Sequence, residues 1–111
     1  MATAPGTLIG TLGYMAPEVL RCQPADQCAD LFALGVMLYE MVCGRRPFER
    51  PSAADTISAV LNDAPPEDER LSGALERIVR ECLAKDAAKR FHSAADLVST
   101  LEALHNRTPP S

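Results

Sequence analysis

Residues 31–39 form the longest apolar run of the chain, and the pattern of residues 31–43 predicts a buried helix. Asp30 stands directly before this stretch in the position of an N-cap, and Gly44 follows it as a C-terminal stop. The stretch is apolar nearly all the way round a helix rather than along one stripe, which is typical of the central helix of a bundle. A buried strand is the competing interpretation, but the length and the two caps favour a helix.

Two further patterns predict amphipathic helices after this central one. Residues 52–55 and 93–96 both read Ser-Ala-Ala-Asp, which resembles a capping box with Asp in the usual Glu place. Apolar residues recur at helical spacing in three segments: residues 53–61, 71–83 and 97–104. Because we find no convincing strand and no internal repeat, the pattern predicts an all-α fold.

The two ends of the chain differ from the helical middle. Residues 1–15 are small and polar, with several Gly and Thr, which favours a loop. Pro17 suits a first helical position and opens a short predicted helix that ends near Cys22. We interpret residues 106–111 as the start of a linker or tail.

Gly35 lies in the middle of the predicted central helix. A glycine there costs about 1 kcal/mol relative to alanine, so a position where another backbone comes close is favoured over a chance occurrence.

Size and composition limit the possible functions. At 111 residues the chain is long enough for one domain with a single core. Its net charge of −4 has the wrong sign for a protein that binds a phosphate backbone, so we expect no nucleic acid partner. No segment has the length of a membrane span or the pattern of a signal peptide, and we expect a cytoplasmic chain.

The four cysteines are more consistent with packing than with a metal. They form no Cys-x-x-Cys pair, and neither histidine stands at metal spacing from one of them. Cys43 and Cys82 fall in apolar helical stretches, where a free cysteine behaves as a small hydrophobic residue. Core packing is therefore favoured over a four-thiolate zinc site, and we expect no metal site in the chain.

Four ordered motifs resemble those of the protein kinase family. They are Ala-Pro-Glu at residues 16–18, Asp-Leu-Phe-Ala-Leu-Gly at 30–35, Gly-Arg-Arg-Pro-Phe at 44–48 and Cys-Leu-Ala-Lys-Asp-Ala-Ala-Lys-Arg-Phe at 82–91. Four matches in this order make chance a poor explanation. The resemblance implies the helical lower part of the kinase large lobe, beginning near the end of the activation segment.

The details favour one subclass. Thr11, with Tyr14 before Met15-Ala16-Pro17-Glu18, is similar to serine/threonine kinases rather than tyrosine kinases. Residues 52–66 resemble bacterial kinases of the eukaryotic (Hanks) type.

The resemblance implies roles for several polar residues. Thr11 matches the threonine that bridges the catalytic Asp and Lys beside the acceptor residue, although an ordinary loop threonine is the alternative. Glu18 and Arg90 match the two ends of a buried family ion pair, against the alternative of two separate surface charges. Asp30 matches an Asp that binds the catalytic loop, but with that loop missing we expect only a helix cap.

The resemblance also implies a substrate region and a phosphorylation site. Glu40 matches a position that binds a basic substrate residue in some kinases, although a structural role is favoured. A pocket for an apolar residue that follows the acceptor would be lined by Leu8, Leu12 and Met15, and core packing is an equally good interpretation of these three residues. We expect Thr7 to be the phosphoacceptor of the longer kinase, with Thr3 as the second candidate.

The motifs that hold ATP and Mg²⁺ in the family do not occur in this sequence. There is no Gly-x-Gly-x-x-Gly, Val-Ala-Ile-Lys, His-Arg-Asp or Asp-Phe-Gly. We therefore expect residues 1–105 to be a partial kinase domain that binds no cofactor and transfers no phosphate by itself. Its expected partners are a protein substrate or the missing kinase portion. The alternative is a non-catalytic helical module that binds a partner. Removal of the preceding helix should also expose apolar surface on the central helix.

Overall fold

A computed structural model describes residues 11–107, and within this range the chain is helical, with no strand. We name its elements in chain order: α1 (Pro17–Leu20), α2 (Gln27–Cys43), α3 (Ala53–Asn62), α4 (Gly73–Cys82), a 3-10 helix (Ala87–Lys89) and α5 (Ala94–Arg107). The predicted all-α fold is confirmed. Residues 11 and 12 are helical rather than part of a loop.

The central helix begins earlier than the sequence predicts. Its N-cap is Asp26, whose backbone is extended and whose carboxylate accepts a hydrogen bond of 2.9 Å from the Cys28 N–H. The prediction of Asp30 as the cap is wrong, because Asp30 lies exposed in the first turn of α2. The apolar pattern that starts at Leu31 misplaced the boundary, since the first turn of this helix is made of small and polar residues.

The other predicted helix boundaries agree more closely with the structure. Gly44 ends α2 with φ of +75° and donates to the Glu40 carbonyl over 2.8 Å, a conformation that glycine adopts without strain. Ser52 and Ser93 each accept a backbone N–H three residues later over 3.1 Å. Helix α5 runs to Arg107, two residues into the segment that we interpreted as a linker or tail.

The core lies where α2 packs along α4, and α4 in turn packs against α5. Gly35 allows the close approach, because a Cβ added there would lie 2.5 Å from the Cβ of Cys82 and 3.0 Å from a methyl of Leu83. The neighbour is thus a helix side chain rather than a bare backbone. Cys43 and Cys82 are 2% and 0% exposed and serve as core residues.

One face of α2 is not covered. Met37 is 42% exposed and Met41 is 79% exposed, although other residues of the same helix are buried in the core. They leave exposed apolar surface on the central helix, as expected from the sequence. None of the helices between residues 11 and 107 combines the length and hydropathy needed to cross a membrane.

The Gly35 contact leads to a stability prediction. We expect Gly35→Ala to lower the free energy of unfolding by roughly 1–3 kcal/mol, because the added methyl overpacks the α2–α4 contact. Met41→Ala on the exposed face of the same helix is the control and should change stability by less than about 0.5 kcal/mol. Urea unfolding of both variants measures this. Stabilisation by Gly35→Ala, as in an open helix, would contradict the close packing.

Candidate functional site

The site is built around the side chain of Arg90, which follows the 3-10 helix and is fully buried. Its Nη1 and Nη2 atoms donate to the two carboxylate oxygens of Glu18 over 2.7 and 2.9 Å. The Glu18 side chain is 12% exposed. The contact expected from the sequence is therefore present as a bidentate ion pair that joins α1 to the segment after α4.

Every N–H of the Arg90 guanidinium has an acceptor. Besides the two bonds to Glu18, the side chain donates to the carbonyls of Ala84, Cys28 and Lys85 over 2.8, 3.0 and 3.3 Å. A guanidinium has five N–H donors, so none is left unsatisfied in the interior. Arg90 thereby holds α1, the first turn of α2 and the end of α4 in one arrangement.

The environment of the pair favours the charged carboxylate. The hydrogen bond from Arg90 lowers the pKa of Glu18, and this effect outweighs burial, which acts in the opposite direction. The guanidinium also lies over the ring of Phe32, 5.1 Å from its centroid. Phe32 stacks on Phe48 with a centroid distance of 5.8 Å, so the guanidinium of the ion pair packs against an aromatic pair.

The candidate substrate residues lie at the N-terminal edge of this arrangement. Thr11 is exposed, Leu12 is 9% exposed and Met15 is half-buried. Leu12 thus contributes to packing, whereas Thr11 and Met15 remain accessible. The remaining candidates lie outside the described residues and stay predictions: Leu8, Thr7 and Thr3.

Glu40 has partners of its own within the chain. The Tyr14 hydroxyl donates to Glu40 Oε1, and the Arg46 guanidinium lies 3.5 Å from Oε2. Arg46 also lies over the Tyr14 ring, 5.0 Å from its centroid. The hydrogen bond to Glu40, followed by burial, raises the pKa of Tyr14. Glu40 therefore fastens the segment around Tyr14 to α2, and this structural role agrees with the interpretation that the sequence favours.

Between residues 11 and 107, no group of three or more His, Cys, Asp or Glu side chains is placed to hold a metal ion. Burial raises the pKa of the Cys82 thiol to about 11 and also raises that of Cys43, which disfavours the thiolate form at neutral pH.

Sequence reasoning missed Arg46 and Lys85 as partners in this region. Lys85 Nζ lies 4.1 Å from the centroid of the Phe48 ring, and Arg46 completes the contact between Tyr14 and Glu40. Both residues stand inside the motifs that carry the resemblance, so their positions were visible. Their contacts were not, because they join residues far apart in the chain.

The comparison with known proteins gives the class first. Residues 2–102 match the model of the protein kinase domain, and the chain belongs to this family as a partial kinase domain.

Its relatives are bacterial serine/threonine kinases. The chain is 37% identical over 108 residues to serine/threonine-protein kinase pkn3 of Myxococcus xanthus, covering 92% of this chain and 20% of that protein. It is 32% identical over 112 residues to serine/threonine-protein kinase PknB of Mycobacterium tuberculosis, covering 97% of this chain and 18% of that protein. The chain spans about a fifth of the length of these relatives.

The first prediction from the site concerns the strength of the ion pair. We expect Glu18→Gln to lower the free energy of unfolding by roughly 3 kcal/mol, because it leaves a buried guanidinium without its counter-charge. Glu76→Gln is the matched control, since Glu76 pairs with Arg80 at 3.1 Å while both side chains are 40% exposed. It should cost less than about 1 kcal/mol. If urea unfolding shows the same loss of unfolding free energy for both variants, the buried pair stabilises the fold no more than an exposed one.

The second prediction concerns how the stabilisation by Glu18 depends on pH. A carboxylate with a lowered folded pKa stabilises the fold above its unfolded pKa of about 4.3, and this contribution is lost as the pH falls through the folded value. The stability difference between the native chain and Glu18→Gln should be constant above about pH 5 and shrink below about pH 4. Urea unfolding at a series of pH values measures it. A stability difference that stays constant down to pH 2 would contradict the lowered pKa of Glu18 as its source.

Proposed function

We propose that this chain serves as the C-terminal part of a serine/threonine kinase domain and that phosphate transfer requires a complementing part. The observation that carries the proposal is the bidentate contact between Glu18 and Arg90. It ties the Ala-Pro-Glu segment at residues 16–18, which borders the acceptor region in the family, to the helical base. In the complete enzyme this base would hold the protein substrate while ATP and Mg²⁺ are held elsewhere.

The requirements of phosphoryl transfer favour a structural role for this chain within a larger enzyme over a complete active site of its own. Phosphoryl transfer depends on positioned metal ions, a phosphate-binding Lys and an Asp base. None of the motifs that supply these groups occurs in the sequence. A hydroxyl such as that of Thr11 cannot replace them, and the loss of one member of such a unit already removes most of its activity.

Within the proposed enzyme, the residues near the acceptor would divide their tasks. Thr11 would help to shape the acceptor pocket, and Leu8 and Met15 would contact an apolar residue that follows the acceptor, whereas Leu12 packs in the core. Glu40 is less suited to bind a basic substrate residue, because Tyr14 and Arg46 already occupy its carboxylate. We retain the cytoplasm as the proposed location.

The second candidate is a non-catalytic helical module that binds a partner. The exposed side chains of Met37 and Met41 favour this function, because flexible apolar side chains on one helix face suit protein contacts. Reading the genomic DNA upstream of Met1 distinguishes the two. An in-frame His-Arg-Asp and Asp-Phe-Gly would favour the kinase, whereas a stop codon with a ribosome-binding site would favour the module.

The proposal predicts that the isolated chain does not respond to nucleotide. Its Tm should not move at millimolar Mg-ATP, because a ligand stabilises only a protein that it binds. The chain should also incorporate no labelled phosphate into a generic Ser/Thr protein substrate. Intact pkn3 kinase in the same assay is the positive control.

Complementation provides the positive arm of this test. Co-expression with a polypeptide that supplies the four missing motifs should give phosphate transfer, and Glu18→Gln in this chain should reduce it by weakening the anchor. An upward Tm shift or phosphate transfer by the pure chain would overturn the proposal and require a nucleotide site within it.

A further inference from the structure

We propose that the exposed face of α2 pairs with the same face of a second copy of this chain, with the two helices antiparallel. The face is formed by Met37, which is 42% exposed, and Met41, which is 79% exposed, together with the half-buried Leu34 and Leu38. We name these four residues the methionine face. The proposal concerns the chain on its own and does not rest on the kinase function.

The spacing of the methionine face fits another helix. Leu34, Met37 and Met41 are three and four positions apart, which is the spacing of the a and d positions of a coiled coil. Side chains at this spacing form a narrow apolar seam along a helix, and the groove of a second helix is complementary to such a seam. Methionine side chains also adapt their shape to a partner. The seam therefore favours a helix as the occupant.

The charges at the two ends of α2 favour a second copy as that helix. Asp30 lies exposed in the first turn and forms no ion pair among residues 11–107. Arg45 and Arg46 follow the last turn. Arg46 lies 3.5 Å from Glu40, but Arg45 is 55% exposed and only 3.9 Å from Asp68. An antiparallel pair brings each acidic end to the basic end of the partner, whereas a parallel pair brings like charges together.

One register satisfies the apolar and the charged positions at once. A two-fold axis between Met37 and Leu38 is also midway along the chain between Asp30 and Arg45. Around this axis Leu34 lies level with the partner's Met41, and Met37 lies level with the partner's Leu38. The same patch then serves both copies, as an isologous dimer requires.

Sedimentation equilibrium of the full chain tests the proposal. A thiol reductant is present, because Cys22 is exposed and could cross-link two copies by itself. We expect a reversible equilibrium between monomer and dimer with a Kd on the order of 10–100 µM, since one helix face is smaller than a standard stable interface. The measurement therefore covers chain concentrations from about 5 to 500 µM.

A pair of lysine substitutions identifies the face. Met41→Lys should raise the Kd at least about tenfold, because it places a charge within the apolar seam. Val98→Lys is the matched control, since Val98 is 49% exposed on α5, and it should leave the Kd unchanged. Asp30→Lys should also raise the Kd, because it sets a lysine against the basic end of the partner.

Disulfide formation measures the orientation, in chains that carry Cys22→Ser. Two copies of Met37→Cys would lie about 1.5 Å apart along the helix axis, whereas two copies of Met41→Cys would lie about 10 Å apart along it. Because a disulfide requires Cα atoms within about 7 Å, Met37→Cys should cross-link and Met41→Cys should not. Equal cross-linking of both variants would indicate a parallel pair and overturn the proposed arrangement.

Two further results would overturn the proposal. One is a chain that stays monomeric at the highest concentration, and the other is a Met41→Lys variant that dimerises like the native chain. If the native chain stays monomeric while Met41→Lys abolishes complementation by the polypeptide with the four missing motifs, that polypeptide occupies the face instead. A failed complementation leaves the sedimentation result unaffected, so the dimer and the kinase function fail separately.

Discussion

The buried guanidinium of Arg90 is the interaction on which the arrangement of this chain depends. Its charge is compensated by Glu18, and its five N–H groups bond to residues from three separate segments: α1, the first turn of α2 and the segment after α4. A buried charge is costly unless it is fully paired, so these segments are held in one relative position or the guanidinium loses its partners. The Ala-Pro-Glu segment is fixed to the helical base for this reason.

The packing around Arg90 follows from small local features. Gly35 brings α4 close to α2, and this places the segment after α4, with the Ala84 and Lys85 carbonyls, within reach of the guanidinium. Phe32 and Phe48 provide the apolar surface below it. Lys85 Nζ also packs against this surface, 4.1 Å from the centroid of the Phe48 ring.

The helices could be predicted from the sequence because their signals are local. Ser52, Ser93 and Gly44 cap their helices as their positions indicate. The prediction of Asp30 as the cap was wrong, since the first turn of α2 is made of small and polar residues and the apolar pattern begins only at Leu31. Glu18 and Arg90 were paired only through the family resemblance. The partners of Lys85 and Arg46 had no such guide, because these contacts depend on tertiary packing.

A double-mutant cycle on Glu18 and Arg90 tests the central claim most directly. The free energies of unfolding of Glu18→Gln, Arg90→Met and the double variant give the coupling between the two side chains. If the bidentate pair anchors residues 16–18, the coupling should exceed about 2 kcal/mol, with the double variant much more stable than the sum of the single losses implies. Additive losses, with a coupling below about 0.5 kcal/mol, would contradict it.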